Sequence, residues 1–193
     1  MSSIKKVTKR VFSETFNNID FSIDKSERLD YENCEFVNCI FIALSDVNFM
    51  DCQFTNCNLS NVRFNFCGLQ TIHFNDCKLM GADFSPAKDF LFEVHFKNCN
   101  MDYTSFDKKR MNKSSFDNCK IHGANFTQTN LSKASIAQCD WHDSIFTNTD
   151  LSGLDFTTSR NFLIDPTMNT LKKTRFSKMD LTGLLFRLDI IIE

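Results

Sequence analysis

The sequence predicts an all-β fold, a four-sided β-helix closed by a C-terminal helix and short strand. Three observations predict it: an apolar period of five, a phenylalanine period of ten, and cysteines locked to both. An apolar residue stands at every fifth position from Phe49 through Phe84, then again from Phe96 through Phe156, and no position in either run is polar. A looser run precedes them at Phe16, Phe21, Ser26, Tyr31, Phe36 and Phe41. Repetition at a fixed short period is the mark of a solenoid, in which each unit buries its apolar face against its neighbours.

Let i be the central position of each repeat. All nine cysteines (Cys34, Cys39, Cys52, Cys57, Cys67, Cys77, Cys99, Cys119 and Cys139) occupy i−2. Extended chain alternates its side chains, so i−2 and i share one face and point inward. A flat strand continued to i+5 would turn the next centre outward, so the chain has to turn a corner between repeats. The residues at i+1 and i+2, such as Thr55-Asn56, Ser60-Asn61 and Asn75-Asp76, favour tight turns through local side-chain hydrogen bonds and tolerance of left-handed backbone. The number of sides follows from the longer period. Phe96, Phe106, Phe116, Phe126, Phe146 and Phe156 alternate with Met101, Met111, Ile121, Leu131, Trp141 and Leu151. Four sides keep each face homogeneous, two aromatic and two aliphatic, whereas three sides would mix them. About seven coils at roughly 4.8 Å per rung make a rod on the order of 35 Å long.

In chain order, residues 1–10 read as a basic N-terminal tail carrying Lys5, Lys6, Lys9 and Arg10; 11–160 as the β-helix; and 161–193 as a cap or dimerisation segment. Residues 11–95 hold five basic against thirteen acidic side chains, and the acid gathers early, at Glu14, Asp20, Asp24, Glu27, Asp30, Glu32 and Glu35. That cluster is either a solvated face or an acidic surface for a basic partner. The beat breaks twice. Between Phe41 and Phe49 it reads as an insertion of Ile42 to Asp46, and between Phe84 and Phe96 as an insertion at 85–93 containing Phe90, Leu91 and Phe92. The apolar triplet either forms an exposed contact knob or folds back over a corner of the coil. Lys109 occupies an inward i−2 position, and a strand bulge that lets its amine reach solvent is expected there.

After Phe156 the pattern decays, and Pro166 halts regular pairing. Ser177-x-x-Asp180 reads as a capping box opening a helix, and 189–193 as a short strand. The apolar residues there, Leu181, Leu184, Leu185, Phe186, Leu188, Ile190, Ile191 and Ile192, either cap the rod or pair with a second copy about a two-fold axis.

Catalytic signatures are missing: no Ser-His-Asp or Cys-His arrangement, phosphate loop or zinc knuckle is present, so neither an enzyme nor a cofactor is expected. The cysteine spacing is C-x4-C or longer, which fits buried structural thiols rather than metal ligands. His73, His95, His122 and His142 fall at outward positions. The column of Asp102, His122 and His142 is read as solvent-facing rather than metal-binding. With no signal-like or membrane-spanning apolar stretch, a cytoplasmic protein with reduced thiols and no membrane contact is expected.

The repeats Cys52-Gln-Phe-Thr-Asn56, Cys57-Asn-Leu-Ser-Asn61, Ala82-Asp-Phe-Ser85, Ala124-Asn-Phe-Thr-Gln128 and Thr149-Asp-Leu-Ser-Gly153 resemble those of the pentapeptide-repeat family. That resemblance implies a right-handed quadrilateral β-helix, in agreement with the four sides above. The overall layout, with its closing segment from Leu184 to Ile192, is similar to the microcin-immunity and quinolone-resistance (Qnr) branches. Those relatives dimerise through the C-terminal helix and strand and protect DNA gyrase or topoisomerase IV from poisons, some as mimics of B-form DNA. The resemblance therefore implies a homodimer, a topoisomerase partner and no direct binding of nucleic acid. A scaffold of the same fold with an unrelated partner is the alternative. Two departures stand out: acidic residues are interleaved with Lys and Arg along the second half, and the stretch after Phe41 is shorter than the Qnr loop at the comparable place.

Overall fold

The computed structural model describes residues 9–21, 29–188 and 190–191. Asp24, Glu27 and Ile192 lie outside the described residues, as do Lys5 and Lys6 of the basic segment. The strands are short and follow the beat: β1 (Lys9–Phe12), β2 (Thr15–Asn17), β3 (Leu29–Glu32), β4 (Glu35–Val37), β5 (Leu44–Ser45), β6 (Asn48–Met50), β7 (Gln53–Thr55), β8 (Phe64–Asn65), β9 (Gly68–Gln70), β10 (Ile72–Asn75), β11 (Val94–Lys97), β12 (Ser115–Asp117) and β13 (Ser135–Ala137). All pairing is parallel, each strand lying on the equivalent strand of the next coil. A first face stacks β1-β3-β6-β9, and a second stacks seven strands from β2 to β13. Isolated parallel bridges continue the other two: Asp20, Ile40, Asn58, Lys78, Asn100, Lys120, Asp140 and Arg160 on the third, and Arg63, Asp83, Ser105, Asn125 and Ile145 on the fourth.

The core is the column of centres. On the second face Phe16, Phe36, Phe54, Phe74, Phe96 and Phe116 stack with ring centroids 4.7–5.3 Å apart. On the fourth, Phe64, Phe84, Phe106, Phe126 and Phe146 stack at 4.4–5.4 Å. Between them the third face is aliphatic from Leu59 to Ile121, and Met111, Leu131 and Leu151 line the first; all are fully buried. The tenfold alternation of phenylalanine thus reports the number of sides correctly. All nine cysteines are free and buried. Six of them, from Cys39 to Cys139, form one column behind the third face, where thiols donate to carbonyls such as Phe36 O, Phe54 O and Phe74 O. Burial pushes the Cys52 and Cys67 thiols up to about 11. The corners are held by left-handed residues, many of them asparagine, and Asn18, Asn38 and Asn56 link successive coils by side-chain amide bonds of 3.2 and 2.7 Å.

Three expectations need correction. The break after Phe41 is a shortening, not an insertion: Leu44 is itself the buried centre of the fourth face, in register with Phe64, and the partners Phe36 and Phe54 are only 18 residues apart. The break at 85–93 is a lengthening by two residues, since Phe74 pairs with Phe96 22 residues on, against 20 from Phe54 to Phe74. The coil also continues past 160. Thr170 and Arg175 bridge to Asp150 and Asp155, and Phe176 stacks on Phe156 at 5.4 Å. Leu171 and Phe176 kept the five-residue beat, which only Asn161 and Pro166 had interrupted.

At the other end, Lys9 and Arg10 already belong to β1. The C-terminal cap starts at Ser177, whose hydroxyl accepts from Met179 N–H to open a 3-10 turn at Lys178–Asp180, followed by the one-turn helix α1 (Thr182–Leu185). Gly183 lies so close to the last coil that its carbonyl accepts the Ile164 N–H, and an added Cβ would stand 2.2 Å from Phe162 O. Ile190 and Ile191, expected in a strand, lie in none.

Candidate partner-binding surface

The segment 85–93 sits on the first face above β9, anchored by backbone bonds from Lys88 N to Cys67 O and from Glu93 N to Leu69 O. The expected triplet divides. Phe92 turns inward and is 6% exposed, filling the space of the missing centre, while Phe90 and Leu91 point out at 73% and 56%. Phe90 and Leu91 are exposed while Phe92 folds back over the coil, one residue apart. Phe92 N–H reaches Asp89 O at 3.3 Å and closes a turn with Phe90 and Leu91 at its tip.

Sequence reading missed a third member. Phe66, 65% exposed, belongs to the corner immediately below, and its N–H donates to Pro86 O at the base of the loop. The signal was available, because Phe66 is an aromatic at an i+2 corner position otherwise given over mostly to polar residues. Phe66 and Leu91 both adopt left-handed backbone, with φ of 53° and 54°. Left-handed backbone is the regular corner geometry of the coil, which Tyr103 and many asparagines share, but large apolar residues rarely take it. Phe66 and Leu91 thus place two exposed apolar side chains on left-handed backbone at one corner of the rod.

Lys109 corrects a further expectation. No bulge carries its amine to solvent; the residue is 3% exposed, and Nζ donates to Ala87 O and, at 2.8 Å, to Asp89 Oδ1. Beside it the Phe92 ring lies 5.5 Å from the ammonium. The two extra residues of the loop open the space that this side chain occupies.

Among the described residues the acidic candidates differ in their surroundings. Glu32 is paired with Arg10 at 2.9 Å, and Asp30 accepts from both the backbone and the side chain of Asn48. Glu14 and Glu35 are exposed, and Asp20 is half-buried. Farther along, acid and base alternate between rungs: Arg63 with Asp83, Lys120 with Asp102, Arg160 with Asp140 and Arg175 with Asp155. The Asp102 column is less open than expected. Asp102 is buried, and the His122 ring lies between it and Asp140, 3.8 and 3.4 Å from their carboxylates. Burial alone would raise the Asp140 carboxyl, but hydrogen bonds from Asn161 and Arg160 and the neighbouring His122 ring hold it below its usual range.

In the C-terminal segment, Leu184 and Leu185 are half-buried against the last coil, while Leu181, Phe186, Leu188, Ile190 and Ile191 are exposed. A cleft between that segment and the coil is lined by His142, Asn161, Phe162, Leu163, Asp180, Thr182 and Gly183. Among the described residues no helix is long and apolar enough to cross a membrane.

A parallel four-faced coil with a five-residue repeat, two inward positions per repeat and asparagine-rich corners defines a class of repeat protein. The sequence profile of the pentapeptide repeat region matches residues 27–88 and 90–161, and the chain belongs to that family. Among solved structures it is similar to a trypsin-treated single-substitution variant of QnrB1, described as a plasmid-mediated fluoroquinolone resistance protein, with 23% identity over 94% of this chain and 99% of that one and a TM-score of 0.56. Full-length QnrB1 gives 19% identity over 94% and 100%, with a TM-score of 0.57. HetL of the cyanobacterium Nostoc sp. strain PCC 7120, a pentapeptide repeat protein involved in heterocyst differentiation regulation, gives 12% over 95% and 92%, with a TM-score of 0.64. No curated protein matches the sequence.

Proposed function

We propose that the protein is a non-enzymatic binding module that engages DNA gyrase or topoisomerase IV and protects it from a poison of the quinolone or microcin type. The observation that carries this reading is the corner of the rod at Phe66, Phe90 and Leu91, three exposed apolar side chains of which Phe66 and Leu91 sit on left-handed backbone. Three further points support it: the resemblance of the repeats and closing segment to the Qnr and microcin-immunity branches, the fold shared with QnrB1 over nearly the whole of both chains, and QnrB1's description as a fluoroquinolone resistance protein. The alternation of paired charges along the rod favours apolar contact as the source of affinity. DNA mimicry is then limited to the early coils, where Glu14 and Glu35 are exposed and can oppose a basic groove.

The same reading makes the protein a homodimer through the exposed apolar residues of the C-terminal segment. Light scattering of the full chain and of a chain ending at Phe176 tests this: a dimer that survives truncation rules out the segment as the interface. The functional test is a DNA gyrase supercoiling assay run with a fluoroquinolone or a microcin, with and without the protein. Restored supercoiling is expected with at least one poison. A protein that at micromolar concentration neither rescues nor inhibits supercoiling sinks the proposal and favours a scaffold with another partner.

A further inference from the structure

We infer that Lys109 is the positioning residue of the Phe90–Leu91 tip, its ammonium replacing a ladder hydrogen bond that the two-residue lengthening interrupts. The inference rests on the tip being the partner contact. In the inward i−2 column of the first face, the carbonyls of Cys67, Lys109 and Thr129 each accept a backbone N–H from the rung above: Lys88, Asn130 and Asp150. Ala87 occupies the equivalent place in the lengthened coil, and its carbonyl accepts the side-chain ammonium of Lys109. Elsewhere that column holds Val47, Cys67, Thr129 and Thr149, none of which reaches past its own rung with a charge.

Both hydrogen-bond acceptors of the ammonium and the aromatic ring beside it come from the lengthened segment. Ala87 O and Asp89 Oδ1 precede the tip, and the ring of Phe92 follows it. A single buried cation thus holds both arms of the turn. The attachment is mutual, because a buried ammonium stripped of its acceptors is costly, so the loop cannot lift away without exposing or orphaning it. The lengthening therefore yields one fixed loop rather than a slack one, and Leu91 is kept on left-handed backbone it would otherwise leave. A tip held in its binding conformation avoids the loss of apparent affinity that comes with a rarely populated competent state.

Asp89→Asn, Lys109→Met and the double change Phe90→Ser/Leu91→Ser separate the possibilities. Each is measured for chymotryptic nicking within 85–93, thermal stability, and the concentration that half-protects DNA gyrase from a fluoroquinolone. The Asp89 side chain is 69% exposed, so Asp89→Asn leaves the fold intact even if Lys109→Met does not. Asp89→Asn is expected to lower the melting temperature by only a few degrees, speed nicking, and raise the half-protecting concentration about tenfold by lowering the fraction of competent loop. Added to Phe90→Ser/Leu91→Ser it should cost nothing further, a non-additivity that a general loss of stability would not produce. If Asp89→Asn is nicked and protects like the parent while the serine variant has lost protection, the clamp is overturned and the tip stands. If the serine variant protects fully, the tip is not the contact, and the role of Lys109 falls with it.

Discussion

Phe116→Ala measures how the rod is held together. Phe116 is 1% exposed, stacks on Phe96 at 5.3 Å, and meets the edges of Phe106 and Phe126 at 6.1 Å and Trp141 at 5.9 Å. Truncating a buried Phe costs about 3–5 kcal/mol, the spread reflecting how far the walls collapse into the space left behind. Here they are fixed, because bonds such as Asn118 N to Ala137 O and Lys120 N to Cys99 O set the rung spacing. Loss of aromatic contacts adds to the transfer term, so the expected cost is near the top of the range, about 4–5 kcal/mol. Urea unfolding followed by the β-sheet circular dichroism band gives the value, with Phe90→Ala as the control at a side chain of the same type that is 73% exposed. The control should stay within about 0.5 kcal/mol of the parent. A Phe116→Ala cost under about 1 kcal/mol, or equal costs for the two, would refute a core built on stacked centres.

Other perturbations address the cap, the thiols and the turns. Gly183→Ala places a Cβ 2.2 Å from Phe162 O, so α1 should lift from the last coil; faster proteolysis after Ser177 with the coil intact would show it, and unchanged proteolysis would contradict it. All nine thiols are buried and should resist a thiol reagent until the chain unfolds. For Cys52 and Cys67 the folded value of about 11 exceeds the ordinary 9.0, so their contribution is complete below pH 9.0 and is lost as pH rises toward 11. Unfolding midpoints should fall across that window, and less so in Cys52→Ala. Asp155 is held below its ordinary 3.8 mainly by the Thr157 hydroxyl and N–H, so its contribution is present above 3.8 and is lost as the pH falls below it. Thr157→Val should move the NMR titration of Asp155 back toward 3.8, and an unmoved titration would exclude the turn as the cause.

The coil was legible because each of its constraints falls on residues five, ten or twenty apart. Inward positions must be apolar and corners must tolerate left-handed backbone, and both demands recur often enough to be read from Phe, Cys and Asn alone. The breaks were harder to read, since their sign depends on which residue is the centre. Leu44 and Phe92 look like loop residues until the register with Phe64 shows Leu44, and burial shows Phe92, filling the core. Lys109 misled for a related reason. A charge at an inward position is ordinarily relieved by reaching solvent, but here a non-local rearrangement twenty residues earlier supplies its acceptors. Phe66 was visible in principle, as an apolar residue where the pattern calls for a polar one, but its significance comes from the loop stacked above it. The continuation to Phe176 was hidden by Asn161 and Pro166, two exceptions that end the apolar run without ending the coil.

The central claim is that this rod shields a type II topoisomerase through its Phe66–Phe90–Leu91 corner. The most direct measurement is the amount of double-strand-cleaved DNA trapped by DNA gyrase and a fluoroquinolone as the protein is titrated in. The account predicts a dose-dependent fall in cleaved DNA with the parent chain and none with Phe90→Ser/Leu91→Ser. Cleavage that is unaffected by the parent, or equally suppressed by both, would contradict it.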